Sequence, residues 1–250
     1  MQLVTKLRDA LAPTVVEAGE AAGLKLTARR ADPNFARGTY ERPLQAFIAK
    51  NLSAGDVFYD IGANIGFFSL IAARHVGPQG RIYSFEPVPE NAAAISRSAH
   101  LNGFDMIDVF AAAVGSSDGR AELMLARHIG GATLASVGPP PDLCGHIEVD
   151  LVTIDTVIAQ RGLRPPSLIK IDVEGAELEA LTGMVETLRA HRPTVLYEVD
   201  DASPAGLVRK VEALAAFWTA AGYVLTPLPA AYQDIDWHVA HVVARPATAP

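Results

Sequence analysis

Four short runs of residues carry groups able to do chemistry. They are Asp60-Ile61-Gly62-Ala63-Asn64-Ile65-Gly66, Phe85-Glu86-Pro87, Thr153-Ile154-Asp155 and Lys170-Ile171-Asp172-Val173-Glu174-Gly175. In the first, an apolar run ends in a carboxylate and then a glycine-bounded turn. Asp60 is placed to attract cationic groups of a ligand, and Gly62 lets the chain turn beside that ligand without a Cβ. Amides at the start of the following helix can face an anion. In the second run, Glu86 can accept both hydroxyls of a ribose, a device that dinucleotide enzymes also use. A dinucleotide fingerprint would place glycines at 62, 64 and 67, but Asn64 and Phe67 occupy the last two positions. Without the middle glycine the backbone cannot approach a pyrophosphate closely, which disfavours a nicotinamide-dependent oxidoreductase. Each residue alone reads as an ordinary cap or turn. Two carboxylates at successive strand ends point instead to an adenosine-like ligand.

The fourth run alternates charged and apolar residues. Strand geometry predicts Lys170, Asp172 and Glu174 on one face and Ile169, Ile171 and Val173 on the other. A central parallel strand is normally apolar on both faces, so these charges need partners. Glu198 is the expected partner of Lys170. Asp172 and Glu174, nearer the ligand edge, are candidates to orient a substrate or take its proton. Two visible carboxylates are too few for a hard cation, so no metal is expected on them. His128, in the loop 126–144, is a rival base with an unperturbed pKa near 6.5. Most lone loop histidines are merely solvated. Asp155 is expected to cap the helix at 156–160.

The surrounding pattern must position these groups. Strands are predicted at 57–61, 81–86, 107–114, 167–172 and 194–199, with a final pair at 223–228 and 238–245. Helices are predicted at 43–51, 65–75, 89–102 and 176–191, the last with Leu178, Leu181, Val185 and Leu188 inward. Another helix starts at the Ser203 cap and ends at Gly222. Leu3, Leu7, Leu11 and Val15 recur at helical spacing and predict an amphipathic N-terminal helix, with Pro13 as the point where it would break or divide. Residues 32–38 read as turns. The expectation is one α/β domain over 1–250, a doubly wound, mostly parallel seven-stranded sheet. It carries a helical segment at 1–50, an insertion at 115–166 with a hairpin of 121–125 and 147–152, and a loose tail at 246–250.

Half of the 250 residues are apolar and the net charge is −7. With no cluster of Lys and Arg, nucleic acid is not an expected partner. The single cysteine, Cys144, forms neither an internal disulfide nor a zinc motif, and no apolar run is long enough to span a bilayer. A cytoplasmic protein acting away from membranes is expected.

The four runs, with Gly38-Thr39-Tyr40-Glu41 before the first strand, resemble the FkbM family of S-adenosylmethionine (SAM)-dependent methyltransferases over residues 38–199. The Lys-Ile-Asp-Val-Glu-Gly segment is the more specific part. The resemblance implies a Rossmann-like methyltransferase sheet, SAM as cofactor, and O-methylation of a hydroxyl on a sugar or secondary metabolite. It implies cofactor contacts from Tyr40, Glu41, Asp60, Gly62, Ala63, Asn64, Gly66, Glu86, Pro87, Ala113 and Asp172. Asp60 would meet the methionine end and Glu86 the ribose. Asp172, Glu174 and His128 are the catalytic candidates. A peptide or protein acceptor, and a SAM-binding module without catalysis, are the alternatives.

Overall fold

The computed structural model describes residues 13–27, 32–127, 131–232 and 237–247. Its centre is a seven-stranded sheet built from β3 (Val57–Ile61), β4 (Arg81–Phe85), β5 (Ile107–Phe110), β10 (Leu168–Ile171), β11 (Thr194–Asp201), β12 (Tyr223–Pro227) and β13 (His238–Pro246). The order across the sheet is β12-β13-β11-β10-β3-β4-β5. The sheet is mixed. Only β13 runs against its neighbours, because it returns from β12 and inserts beside β11. Every residue of β3 and β10 is buried, as expected for strands covered on both faces.

Alternate residues feed two cores. Phe58, Ile82, Leu168 and Leu196 pack on one face with Phe67, Phe68 and Ile71 of a helix at Phe67–Val76. Tyr59, Phe85, Ile169 and Tyr197 pack on the other with Trp218 of the helix Pro204–Ala220. The helix Pro89–Asn102 has the predicted limits and ends on the left-handed Gly103.

Several expectations change. Residues 3–12 lie outside the described residues, and Val15 belongs not to a helix but to a two-residue strand, β1 (Thr14–Val15), paired with β2 (Lys25–Leu26). The turn-rich stretch at 32–38 holds a short helix, Pro33–Arg37, with Asp32 capping it and left-handed Gly38 ending it. The predicted strand 107–114 is two strands. β5 stays in the main sheet, whereas β6 (Ala112–Val114) joins a second sheet with β7 (Gly119–Ala126), β8 (Thr133–Leu134) and β9 (Leu143–Val152) in the order β6-β9-β7-β8. The hairpin expected in the insertion is β7 against β9, with Ala121 opposite Val149.

The helix expected at 176–191 breaks into Glu177–Thr182 and Val185–His191. At the break, a Cβ on Gly183 would lie 2.0 Å from the Gly115 carbonyl oxygen, so tertiary contact interrupts a pattern that looks continuous. Leu181 and Leu188 are buried, but Leu178 and Val185 are exposed. Thr153, not Asp155, caps the helix Ile154–Arg161. Asp155 instead accepts the amides of Glu186 and Thr187 at the next helix but one. Pro246, expected in the tail, ends β13; residues 248–250 lie outside the described residues. Among the described residues no helix is long and apolar enough to cross a membrane.

Candidate active site

Strand register builds the floor of the site. Lys170 lies opposite Asp60, and Asp60 opposite Ser84, so three polar side chains form a row across adjacent strands on one face. All three are buried. Lys170 Nζ is 3.1 Å from Asp172 Oδ2 and 3.7 Å from Asp60 Oδ1. Ser69 Oγ donates to Asp60 Oδ2 at 2.5 Å and lies 2.8 Å from Ser84 Oγ. Burial pushes Lys170 toward deprotonation, but Asp172, Asp60 and Glu41 outweigh it and hold its pKa above the ordinary lysine value. Burial raises Asp60 against the pull of Lys170 and Ser69. Lys170 therefore pairs with Asp60 and Asp172, and not with Glu198 as expected. Glu198 lies 2.6 Å from His241 Nε2.

Above this floor opens a cleft of about 1890 Å³. One edge is the turn after β3. Gly62 has φ +74, and a Cβ there would stand 1.7 Å from the Asp172 carbonyl oxygen. Asn64 is also left-handed, at φ 50, a conformation asparagine tolerates better than most residues. The Gly62 and Ala63 amides both donate to the Phe85 carbonyl, and the Asn64 amide donates to Glu86 Oε2 at 2.8 Å. These amides close the turn and do not face the cleft. Glu86 also accepts from the Val88 amide at 2.9 Å and from Asn91 Nδ2 at 3.4 Å. Burial lifts the Glu86 carboxyl to about 7, against the opposing effect of those donors.

Gly62, Asn64, Glu86, Pro87, Ala113, Tyr40, Asp172 and Glu174 all line the cleft. Asp60, Ala63, Gly66 and Glu41 do not. Asp60 is fully buried beneath the floor, and Gly66 is the left-handed residue that starts the helix Phe67–Val76 against Ile95. His128 lies outside the described residues.

The opposite edge is acidic. Glu174 follows the end of β10 and is not on the strand; it sits at φ 54 beside Gly175 at φ 98. Burial raises its carboxyl well above the ordinary range, and Asp172 and Asp200 raise it further. Glu41 starts the helix Arg42–Asn51 from a left-handed backbone at φ 42. Its Oε1 accepts from the Tyr232 hydroxyl. Burial and the charge of Asp172 lift Glu41 to about 7, against Tyr232 and Lys170. Burial holds His241 down at about 4, so its imidazole is neutral.

Sequence reasoning missed Tyr232, His241 and Asn91. His241 carried a signal, being a histidine inside an apolar strand. Tyr232 sits in an irregular connection whose path nothing local sets. Asn91 lies three residues after Val88 in a helix with no other sign of a site.

Residues 60–225 match the methyltransferase FkbM domain. The 31-O-demethyl-FK506 methyltransferase FkbM of Streptomyces tacrolimicus is 28% identical over 177 residues, 60% of this chain and 67% of that protein. The solved structure of the methyltransferase FkbM from Methylobacillus flagellatus superposes with a TM-score of 0.53 at 18% identity. The match covers 86% of this chain and 56% of that one, so the chain spans little more than half of that relative. A SAM-dependent methyltransferase from Aquifex aeolicus gives a TM-score of 0.51 at 15% identity, covering 85% of this chain and 93% of its own. The fold is thus that of SAM-dependent methyltransferases.

Proposed function

The chain belongs to the FkbM family of methyltransferases, and from that premise we propose that it moves a methyl group from SAM to a hydroxyl of a small molecule, a sugar or secondary metabolite. The observation that carries this reading is one cleft with Glu86 on one edge and Asp172 and Glu174 on the other. The residues present fit the cofactor. Gly62 lets the chain turn hard against the Asp172 carbonyl, where a Cβ would collide, and Glu86 is fixed by two amides while keeping lone pairs for two hydroxyls. When bound, SAM supplies an electrophilic methyl carbon on a sulfonium. Glu86 binds the ribose. Asp172, held by Lys170, faces the cationic end and offsets its charge. Asp60 acts from below, by fixing Lys170. Glu174 lies toward the acceptor side and takes the hydroxyl proton. The insertion sheet walls the cleft through Leu123, Leu134 and Ala113. It is the part of the chain that selects the acceptor.

Calorimetric titration with SAM, its demethylated product and NAD tests the class. SAM and product are expected to bind and NAD is not. Glu86→Ala is expected to weaken SAM by roughly 1.5–3 kcal/mol, about one to two powers of ten in Kd. Equal affinity in the folded variant would remove the ribose assignment. Product formation on hydroxylated acceptors separates an enzyme from a module that only binds SAM, and methylated peptide in the same screen would move the acceptor class.

The raised Glu86 carboxyl makes a pH prediction. Two ribose hydroxyls donating to it favour its charged form, so its pKa in the complex falls below the value of about 7 in the protein alone. Below that pH, binding must release a proton. SAM affinity is therefore expected to be highest above pH 7 and to fall as the pH drops toward 5. Titrations at pH 6 in buffers of different ionisation enthalpy should show proton release that Glu86→Gln abolishes. Affinity independent of pH between 5 and 8 would contradict this.

A further inference from the structure

Behind the acidic edge of the cleft lies a constellation that methyl transfer as described does not use. Glu41, Glu198 and His241 each offer one ligand atom, and these atoms lie within 4.8 Å of one another. The residues come from three distant places, the start of the helix Arg42–Asn51, β11 and β13. Register puts Glu198 directly opposite His241. Tyr232 binds Glu41 through Oε1, which leaves Oε2 as a buried carboxylate oxygen with no hydrogen-bond donor. Glu41 is only 2% exposed, so leaving that oxygen unsatisfied is costly. Charge adds to the case. Glu41, Glu198, Asp172 and Glu174 cluster electrostatically, and Lys170 is the ammonium set against them among the described residues.

We propose that Glu41, Glu198 and His241 bind a divalent transition-metal cation on the acceptor side of the cleft. Two carboxylates and one imidazole suit a borderline ion such as Zn²⁺ or Fe²⁺ better than Mg²⁺, and Mn²⁺, which takes carboxylate ligands readily, serves as the paramagnetic probe. Small side-chain rotations bring such ligands to bonds of roughly 2.0–2.2 Å. The cation replaces the Glu198–His241 hydrogen bond with coordination and gives Glu41 Oε2 its missing partner. The Tyr232 hydroxyl holds Glu41 through Oε1 and sets its orientation. The expectation of no metal weighed Asp172 and Glu174 alone; these ligands are different residues. Of the three ligands Glu198 lines the cleft, whereas Glu41 and His241 are buried behind its wall, so the ion meets the cleft on the Glu198 side. There the ion would hold the acceptor oxygen and ease loss of its proton. That role rests on the methyl-transfer reading, whereas binding of the ion does not.

The test uses the full chain, stripped with a chelator and titrated with Mn²⁺, with the hydrated ion followed by electron paramagnetic resonance. One Mn²⁺ per chain is expected, with nitrogen coupling from an imidazole. His241→Ala and Glu41→Gln should each weaken uptake by about tenfold or more, with circular dichroism unchanged. Tyr232→Phe should weaken it by a smaller factor. Absence of stoichiometric uptake by the unaltered chain overturns the proposal, as does undiminished uptake by folded Glu41→Gln. If His241→Ala does not fold, Glu41→Gln and the nitrogen coupling decide. SAM titration is run separately: Mn²⁺ uptake without SAM binding would sink the methyl-transfer reading and leave the cation site standing.

Discussion

Glu174→Gln is expected to lower kcat by roughly 10²–10⁴-fold while SAM affinity holds, the loss typical of a missing general base. Glu174 lines the cleft in a left-handed conformation that its neighbours must enforce. Its carboxyl is raised by burial first, and then by Asp172 and Asp200, so its ionised form is a stronger base than an ordinary glutamate. Gln has nearly the same shape and cannot accept the proton. The substitution also removes one charge from an acidic cluster, so the melting temperature should hold or rise. Lost turnover then cannot be ascribed to unfolding. Turnover of folded Glu174→Gln within a few-fold of the parent would show that the residue only shapes the turn. His128→Ala is the parallel measurement, and a large loss there would transfer the role of base to the insertion loop.

Lys170→Ala is expected to destabilise the fold by about 3–5 kcal/mol, the cost of breaking a buried ion pair from one side. Lys170 is 2% exposed and Asp60 is fully buried. Removing the ammonium leaves Asp60 with Ser69 as its remaining hydrogen-bond partner, in a place where a lone carboxylate is poorly solvated. Denaturant unfolding measures the loss. Adding Asp60→Asn should recover part of it, because the second change removes the stranded charge. A loss below about 1 kcal/mol in Lys170→Ala would mean that the pair contributes little to the fold.

The central strands and the Glu86 edge of the cleft were legible because their signals are local. The buried runs at 57–61 and 168–171, the Pro and Gly around the helix Pro89–Asn102, and the carboxylates at the ends of β3 and β4 all lie within a few residues of what they specify. The misreadings have a common cause in contacts between distant segments. Nothing at Ala111 announces that the chain leaves one sheet for another. Gly183 breaks a helix because residue 115 approaches it. The three charges of the fourth run were assigned to one strand face, yet Asp172 and Glu174 both lie beyond the strand end at Ile171, and Glu198 found His241 across an antiparallel register that is invisible until β13 is placed. The acidic edge of the cleft is made largely of such pairings.

That reliance on distant pairings governs how the protein comes into being. Tyr232 and Glu41 meet across 191 residues of chain, and His241 reaches its partner only after β13 has threaded between β11 and β12. Contacts of such high order are slow to form, since the loop entropy must be overcome before the contact rewards it. The edge with Gly62, Asn64 and Glu86 is assembled from residues near one another in sequence, and the edge with Glu198 and Tyr232 is not. A refolding chain would thus complete the Glu86 edge of its cleft before the Glu198 edge, and a ribosome would display the first before it had released the second.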